Sequence, residues 1–370
     1  MLLQTLNIVN FKNIAEAQFT FSQKLNCLLG DNGMGKSNLL DAIYYLSFCK
    51  SFTGAADSLI TTRGEQFTLL QAQYQRRDAT EDIQISLGPS TRKAIKRSGK
   101  EYRRFSAHIG KFPAVLISPS DSDLINGSPA ERRRFIDIII SQSDPQYLDH
   151  LIRYNHNLEQ RNRLLRDNVP DTTLFMAIET AMDISAGYIT RARAKTARTL
   201  TELHTQFYNA IAATQAPEFT NIQYTSALTA EENLSLADLL ERNRPRDHML
   251  RYTSQGPHRD DLTLTLNSMP LSRTASQGQQ KTFTIALRLA QYEFLSRATQ
   301  LKPLLLLDDI FDKLDARRVE AIINVVADNR FGQIFITDTN RKHLDEILGH
   351  IPASHSLWSV TDGKYTPMQI

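Results

Sequence analysis

The N-terminal third of the chain alternates apolar and polar positions in a way that predicts β-strands. LLQTLNIV, IAEAQFTF and LNCLLG are rich in apolar or β-branched residues, and Asn, Lys or Ser bounds each of them. The strand pattern returns between residues 67 and 105, in TLLQAQYQ, in DIQISLG and in the hairpin RKAIKRSGKEYRR, and PAVLI at 113–117 adds a buried strand. A helix is expected after residue 35, with Leu39, Ile43 and Leu46 on one face.

A helical period replaces the strand pattern after residue 120. Ser128 is the expected N-cap of a helix that starts at Pro129. Apolar positions at helical spacing then run from Leu174 to Ile211. As one helix of about 40 residues this segment would be ~60 Å long, whereas two antiparallel helices would form a projecting arm.

Strands are predicted again from about residue 249, in MLRYTSQG and DLTLTLNSM, before a helix that starts at SQGQQ. The run PLLLLDD is continuously apolar, as in a parallel strand buried on both faces. ARRVEAIINVVAD and GQIFITDT add a helix and another buried strand. The pattern therefore predicts an α/β fold in which one domain, residues 1–120 and 236–370, is interrupted by a helical insertion at 121–235.

The composition is that of an ordinary globular protein, with 41% hydrophobic and 22% charged residues in a chain of 370. The formal net charge of +3 neither demands nor excludes a polyanionic partner. The two cysteines provide neither a disulfide framework nor zinc-ligand spacing, which favours the cytosol. The N-terminus lacks a cationic leader, and no apolar run reaches the ~18 residues that span a bilayer, so we expect a cytoplasmic protein without a membrane partner.

A glycine-rich turn between a predicted strand and a predicted helix matches the P-loop pattern G-x-x-x-x-G-K-[ST]. Its residues are Gly30, Asp31, Asn32, Gly33, Met34, Gly35, Lys36 and Ser37. Glycines let consecutive backbone N–H groups surround a phosphate, and the following helix presents its positive N-terminus to the same group. The pattern therefore predicts an ATP site in which Lys36 reaches the β and γ phosphates and Ser37 supplies an oxygen to Mg²⁺.

PLLLLDD carries the second metal anchor that a P-loop requires. Asp308 ends the apolar strand and is expected to hold Mg²⁺, as the Walker B carboxylate does in P-loop NTPases. Successive strand residues point to opposite sides, but the chain bends where a strand ends, so Asp309 can face the phosphates as well. Asp309 is the expected catalytic residue, which orients or deprotonates the attacking water.

The segment ASQGQQKTFTIALRLA at 275–290 begins like the signature motif of ABC-type ATPases, which the chain resembles. The signature residues would be Ser276, Gln277, Gly278 and Gln279, and the DKLD that follows the two aspartates resembles the D-loop, with Asp315. P-loop, signature and Walker B also occur in the order found in these ATPases. The resemblance implies a P-loop ATPase head with an inserted helical arm, in which the signature of one copy contacts the γ-phosphate held by a second copy.

Longer matches place the chain in the branch of these ATPases that contains SMC proteins and RecF. GDNGMGKSNLLDAI, ISPSDSDLINGSPAERRRFIDIII, YNHNLEQRNRLLR, GPHRDDL, ASQGQQKT and LLLLDDIFDKLD are similar to segments of the RecF family. This resemblance implies an ATP-dependent homodimer that binds duplex and gapped DNA, helps to load a recombinase with RecR and RecO, and is a weak, DNA-stimulated ATPase. The chain departs from the pattern at Thr337 and Asp338, which replace the histidine of many ABC-type ATPases, and in KSFTGAADSLITTRG, which lacks a His-Arg pair.

Basic residues cluster where they would neutralise a phosphate backbone. The hairpin cluster is Arg92, Lys93, Lys96, Arg97, Lys100, Arg103 and Arg104, and Arg132, Arg133 and Arg134 open the insertion. Further basic residues follow along the predicted helices at Arg153, Arg161, Arg163, Arg166, Arg191, Arg193, Lys195 and Arg198. A solvated hairpin and an arginine-flanked helix would explain each cluster equally well. Since no base-reading motif is present, any DNA binding is expected to be independent of sequence.

Two other functions account for part of these motifs. A P-loop kinase acting on a small molecule explains Lys36 and Asp308 but leaves ASQGQQ and DKLD without a purpose. A transporter ATPase subunit leaves the helical arm and the basic hairpin unused. GPHRDD at 256–261 is either a contact to nucleotide or DNA, or a rigid turn that braces the signature region, with Arg259 and the two aspartates pairing internally. We favour the structural interpretation of this motif.

Overall fold

The computed structural model of the chain describes residues 1–212, 217–230, 235–312, 314–341, 345, 349 and 354–368. Two compact units are present. The first contains residues 1–121 and 285–370 together with 209–215, and the second contains residues 122–208 and 216–284. The first boundary lies beside the expected one, whereas the second lies at 284–285 and not at 235–236.

Two sheets form most of the first unit. An antiparallel sheet has the order β2-β1-β4-β5-β6-β7, with β1 (Leu2–Phe11), β2 (Ile14–Thr20), β4 (Thr68–Arg76), β5 (Ala79–Gly88), β6 (Thr91–Arg97) and β7 (Lys100–Glu101). The other sheet has the order β15-β14-β3-β13-β12-β8 and is parallel except for β15 at its edge. Its strands are β3 (Leu25–Leu29), β8 (Ala114–Ile117), β12 (Leu304–Asp308), β13 (Ile334–Asp338), β14 (His355–Thr361) and β15 (Lys364–Met368).

Strand β12 of the parallel sheet is buried along its length, as the apolar run PLLLLDD predicts. β12 pairs in parallel with β13 on one side and β8 on the other, and all five of its residues are buried. Helices α1 (Lys36–Phe48) and α10 (Ala316–Ala327) also belong to this unit. The expected apolar face of α1 is confirmed, since Leu39, Ile43 and Leu46 are fully buried. A strand covered on both faces has no polar alternation, and so the sequence pattern and the topology agree.

Helices dominate the second unit. They are α2 (Asp123–Asn126), α3 (Pro129–Ser143), α4 (Pro145–Arg166), α5 (Thr172–Ala212), α6 (Ala227–Ala230), α7 (Leu236–Leu250), α8 (Leu271–Thr274) and α9 (Gln277–Thr299). The last residues of α5 and the later part of α9 are assigned to the first unit. α5 is a single helix of 41 residues, which decides between the two arrangements that the sequence left open. No helix among the residues placed in the structure has the length and apolar character to cross a bilayer.

A three-stranded antiparallel sheet explains the position of the second unit boundary. Its order is β11-β10-β9, with β9 (Thr220–Thr225), β10 (Asp261–Leu266) and β11 (Met269–Pro270). β9 precedes residue 235 and β10 follows it, and the two strands pair along six residues from Thr220–Leu266 to Thr225–Asp261. Because hydrogen-bonded strands belong to one sheet, the segment 236–266 stays with the helical insertion.

The predicted strand MLRYTSQG is wrong. Its first residues end helix α7, and no strand is assigned to residues 251–256. The backbone there is held by side chains, since Thr253 N–H donates to Asn162 Oδ1 at 2.8 Å and Ser254 N–H donates to Asp247 Oδ1 at 3.0 Å. Asn162 lies in a distant helix and Asp247 near the end of the preceding helix, and neither contact leaves a periodic signal in the local sequence.

A fully buried arginine lies at the centre of the second unit. Arg161 donates to Glu179 Oε1 at 2.9 Å and to Asp247 Oδ2 at 2.7 Å, and it also donates to the Thr253 hydroxyl at 2.9 Å. Its side chain is 0% exposed. The basic helix pattern predicts Arg161 as a DNA contact, and that prediction is wrong because its side chain is fully buried. Burial in a paired network commits this guanidinium to the fold.

We predict that Arg161→Met destabilises the second unit by about 3–5 kcal/mol, because two buried carboxylates lose a charged partner. Urea unfolding followed by circular dichroism measures the change. Arg166→Met on the same helix is the control, since Arg166 is exposed and the expected effect is within about 0.5 kcal/mol. Equal unfolding midpoints for the two variants would contradict the structural role of Arg161.

Candidate functional site

The glycine loop joins the end of β3 to the start of α1, and two kinds of constraint act on its glycines. Gly33 and Gly35 have φ values of 82° and 110°, in the region that favours glycine. A Cβ on Gly30 would lie 2.4 Å from the carbonyl oxygen of Val360 on β14. The loop therefore requires glycine at these three positions for backbone reasons alone, before any ligand is considered.

The first turn of α1 leaves donors for an anion. Among the described residues, no atom accepts from the backbone N–H groups of Gly33, Gly35 and Lys36. Such unused donors are typical of a helix N-terminus and bind phosphate well. Lys36 is 6% exposed, and its ammonium donates to the carbonyl oxygens of Gly30 at 2.6 Å and Asp31 at 2.9 Å. The loop thus combines free N–H groups and a cation, which fits a polyphosphate.

Asp308 holds the loop from the neighbouring strands. It is the last residue of β12 and is buried, and its Oδ1 accepts from the Ser37 hydroxyl at 2.7 Å and from the Thr337 hydroxyl at 2.8 Å. Burial raises the pKa of the Asp308 carboxyl, while the hydrogen bonds from Ser37 and Thr337 lower it. The hydroxyl of Ser37 and the carboxylate of Asp308 are oxygen donors of the kind that Mg²⁺ binds, so the chemistry of the pair fits this cation.

Asp309 leaves the strand direction at the point where the sequence analysis expected a bend. Its φ is 48°, a left-handed conformation that is uncommon outside glycine, and its backbone N–H donates to the Thr337 hydroxyl at 3.0 Å. Burial lowers the pKa of Lys36, and the negative charges of Asp309 and Asp308 oppose that effect, in that order. Both carboxylates therefore act on the lysine of the glycine loop, although they are consecutive in the chain.

Thr337 is a site residue that the sequence analysis did not assign. It is fully buried, and its hydroxyl contacts both the Asp308 carboxylate and the Asp309 backbone. The parallel register of β12 and β13 places Thr337 directly opposite Asp308. The only sequence signal was its position after the apolar run of β13, where many ABC-type ATPases have histidine.

The outer side of the glycine loop is held by two turns that are remote in sequence. In the turn between β1 and β2, Asn13 donates to Met34 O at 3.5 Å and accepts from Asn38 at 2.7 Å. From the β14–β15 hairpin, Gly363 N–H donates to Met34 O and the Tyr365 hydroxyl donates to Gly35 O, each at 2.8 Å. No spacing in the sequence links these residues to the P-loop pattern, so they were missed.

The signature segment lies in the second unit and is closed by a capping box. Ser276 N–H donates to Gln279 Oε1 at 3.0 Å, and Gln279 N–H donates to the Ser276 hydroxyl at 3.2 Å. Ser276 and Gln277 are exposed at the start of α9. In the first unit, Asp315 caps α10 by accepting from Arg318 N–H at 3.0 Å and is 57% exposed. The signature roles and the D-loop role assigned from sequence remain predictions.

Several of the proposed DNA contacts are used within the protein. Lys93 pairs with Asp57 at 2.7 Å, and Arg97 pairs with Glu81 at 2.8 Å. In the second unit Arg132 pairs with Asp261 at 2.7 Å, Arg133 donates to Asp260 O at 2.7 Å, and Arg193 pairs with Asp137 at 2.9 Å. The charges of these five residues already satisfy groups of the fold, and their role as DNA contacts remains a prediction.

Other basic residues remain exposed. In the hairpin these are Arg92, Lys100, Arg103 and Arg104, while Lys96 is half-buried. Arg191, Lys195 and Arg198 are exposed on α5 and line a cavity of about 420 Å³ between α5, α6 and the start of α7. Their spacing of four and three residues places them on one side of the helix. We call these three residues the α5 basic stripe.

Comparison with known proteins agrees with this arrangement. Residues 2–351 match the family model described as the RecF/RecN/SMC N terminal domain. The chain is 46% identical over 369 residues to the DNA replication and repair protein RecF of Parabacteroides distasonis, with all of both chains covered. It is 43% identical over 367 residues to RecF of Porphyromonas gingivalis, with 98% of this chain and 99% of that protein covered.

Solved structures show the same fold. A structure described as the recombination mediator protein RecF with ATP in the RecFOR pathway superposes with a TM-score of 0.87 at 27% identity, covering 99% of both chains. An SMC head domain from Pyrococcus furiosus superposes with a TM-score of 0.57 at 17% identity over 100% of this chain and 96% of that one, which shows the fold alone. The predicted α/β ATPase-head fold is confirmed.

We predict that Thr337→Val weakens Mg²⁺-dependent ATP binding roughly 10-fold or more, because a hydrogen bond to a charged group contributes about 1.5–3 kcal/mol. Losing this donor raises the pKa of Asp308 further, so the deficit grows as the pH falls and the carboxylate is protonated. Titration with a fluorescent ATP analogue at pH 6 and pH 8 measures both effects. Thr337→Ser keeps the hydroxyl and is the control. Wild-type affinity of the valine variant at both pH values would refute the role of Thr337.

Proposed function

The chain belongs to the RecF family of the RecF/RecN/SMC group, and from that membership we propose that it is an ATP-gated DNA-binding protein of replication and recombinational repair. The observation that carries the proposal is the Asp308 carboxylate, which joins Ser37 of the glycine loop to Thr337 beside a buried lysine. This is the metal and phosphate end of an ATP site, and relatives across the whole length of the chain are named DNA replication and repair proteins.

Each chain is proposed to supply one half of a composite ATP site. Lys36, Ser37 and Asp308 bind the triphosphate and Mg²⁺ in one copy. The exposed, capped start of α9 in a second copy donates hydrogen bonds from Ser276 and the neighbouring backbone to the γ-phosphate. A helix N-terminus is suited to this contact because its N–H groups lack partners within the helix. ATP thus joins two copies of the chain as a homodimer.

Slow hydrolysis is proposed to release the dimer. Asp309 orients or deprotonates the attacking water, and its backbone is held by Thr337. Aspartate is one methylene shorter than the glutamate that most ABC-type ATPases use, so it holds the water less closely. We therefore expect a weak ATPase that DNA stimulates. Loss of the γ-phosphate removes the contact to the partner's signature, and the two copies separate.

DNA is proposed to bind through backbone phosphates without sequence preference. The α5 basic stripe and the exposed basic residues of the hairpin are accessible to solvent, with Asp183 as the one acidic residue among the described residues that line the stripe's cavity. Each phosphate that they neutralise would release condensed counterions, so affinity should fall steeply with salt. The preferred DNA is duplex next to a single-stranded gap, where the protein helps RecR and RecO to load a recombinase. A structure of RecF described within the RecFOR pathway supports these partners.

Sedimentation velocity with ATP, with ADP and without nucleotide tests the composite site. We predict that the wild-type chain dimerises with ATP and returns to monomer as ATP is consumed, and that Asp309→Asn binds ATP and remains dimeric. Lys36→Met is the control and stays monomeric, because the phosphates lose their cation. Hydrolysis at full rate by a chain that is monomeric at every concentration would reject the proposal.

We predict that replacing Arg191, Lys195 and Arg198 together with Gln weakens duplex DNA binding and makes the slope of log K against log salt shallower by up to about 2.7, or ~0.9 per phosphate contact. Fluorescence anisotropy titrations at salt concentrations between roughly 50 and 200 mM measure both effects. The control variant replaces the exposed residues Arg77, Arg297 and Arg341 with Gln, which removes the same charge elsewhere in the chain. An identical loss in both triple variants would show that net charge, and not the α5 basic stripe, determines binding.

A further inference from the structure

Two sequence motifs in the second unit contact each other, and neither is used by the ATP site as described. GPHRDD at 256–261 lies against helix α3, which begins within GSPAERRRFID at 127–137. Gly256 has a φ of 121°, and a Cβ there would lie 2.6 Å from the Tyr154 hydroxyl, which forms a hydrogen bond of 2.7 Å with His258 Nδ1. The motif is therefore a rigid turn in its first half.

The second half of GPHRDD is held by arginines. Asp260 lies 3.7 Å from Arg193 and is hydrogen-bonded to the Tyr224 hydroxyl, and its carbonyl oxygen accepts from Arg133 at 2.7 Å. Asp261 binds Arg132 through both carboxylate oxygens. Arg259 does not pair with these aspartates, and its guanidinium instead lies 4.8 Å from the centre of the Tyr252 ring. The two aspartates of the motif are therefore used within the fold, as the structural interpretation expects. Their ion-pair partners are Arg132 and Arg193, and not Arg259.

Arg132 connects two segments through one guanidinium. Nε and Nη2 donate to the two oxygens of Asp261 at 2.7 and 2.9 Å, in the fork geometry that suits a carboxylate. Nη1 donates to Gly127 O at 3.0 Å, where helix α2 ends, and lies 3.5 Å from Leu124 O. The side chain is 13% exposed. A lysine would not reproduce this contact, because an ammonium is a single point charge without a planar fork.

Both segments held by Arg132 lead to the signature residues. Asp261 is the first residue of β10, which continues through β11 and α8 to Ser276. On the other side, Asn126 at the end of α2 donates to Gln280 Oε1 at 3.2 Å, one residue beyond the signature. One arginine therefore fixes the strand that enters the signature segment and the short helix that contacts its far end.

We propose that Arg132 is a positioning residue that orients Ser276–Gln279 toward the nucleotide held by a second copy of the chain. The proposal rests on the composite ATP site described above. It predicts that removing the arginine leaves the chain's own P-loop intact and impairs the site that the chain completes for its partner. The defect should resemble that of a direct signature variant, Ser276→Arg.

Arg132→Met should bind a fluorescent ATP analogue with an affinity within about twofold of wild type. Its ATP-dependent dimerisation should be weaker by roughly tenfold or more, which corresponds to about 1.4 kcal/mol. Arg134→Met, measured without DNA, is the matched control on the same helix, because Arg134 is 41% exposed and lies 4.0 Å from Glu131. Arg132→Lys should restore little of the ATP-dependent dimerisation. Asp261→Asn keeps the hydrogen-bonding shape and should give an intermediate defect.

Mixing variants separates positioning from misfolding. Arg132→Met and Lys36→Met are each inactive alone, but a heterodimer joins the intact P-loop of the first to the intact signature of the second. We expect the mixture to recover ATP hydrolysis to the level reached by Ser276→Arg mixed with Lys36→Met. Recovery requires the Arg132→Met chain to be folded and to bind ATP.

The outcomes distinguish failure of the positioning role of Arg132 from failure of the composite site. Recovery in the Ser276→Arg mixture without recovery in the Arg132→Met mixture would overturn the positioning role, as would ATP-dependent dimerisation of Arg132→Met at wild-type strength. Loss of DNA binding with unchanged dimerisation would make Arg132 a DNA contact and overturn it too. If wild type fails to dimerise with ATP and the Ser276→Arg mixture also fails to recover, the composite site itself is wrong.

Discussion

A single carboxylate oxygen connects the parts of the ATP site. Oδ1 of Asp308 accepts from Ser37 at the start of α1 and from Thr337 at the end of β13. The strands β3, β13 and β12 are neighbours in one parallel sheet, so their carboxyl ends meet at the same edge. Parallel pairing therefore brings the glycine loop, the threonine and the aspartate together although more than 270 residues separate the first from the last. The order of the buried apolar strands in the sheet therefore determines which residues meet at that edge.

The burial of Asp308 has a cost that its hydroxyl partners offset. A carboxylate without water favours its protonated form, which would be a poor ligand for a cation. Two hydroxyl donors on one oxygen oppose that tendency, and the lysine of the glycine loop supplies positive charge nearby. The replacement of the usual histidine by Thr337 is consistent with this arrangement, because a hydroxyl can donate to Asp308 while its oxygen accepts from the Asp309 backbone.

Three arginines of the second unit have structural roles. Arg161, Arg193 and Arg132 each bind carboxylates at short distance, and the first two are almost fully buried. A buried guanidinium is tolerated only when its charge and donors are satisfied, so each brings acidic partners from distant segments. The exposed basic residues Arg191 and Lys195 lie on the same helix as the buried Arg193. Position around the helix, and not membership of a basic cluster, separates surface charge from structural charge.

The sequence by itself determined the elements whose pattern is local. The glycine loop, the continuous apolar run before Asp308, the start of α3 at Pro129 and the long apolar period of α5 each follow from spacing within one segment. The ABC-type ATPase fold followed from the resemblance of the P-loop, signature and Walker B motifs and their order, and the family resemblance followed from longer matching segments. These features are readable because backbone geometry and side-chain periodicity act over a few residues.

Only the tertiary structure decided which distant residues share an environment. It placed Thr337 between Asp308 and Asp309, set Asn13 and Tyr365 around the loop, and moved the unit boundary to residue 284 through the pairing of β9 with β10. It also showed that Arg132, a candidate DNA contact, is the partner of Asp261. Strand pairing and ion pairing depend on proximity in space, and the local pattern of a chain carries no record of which remote segment will be near.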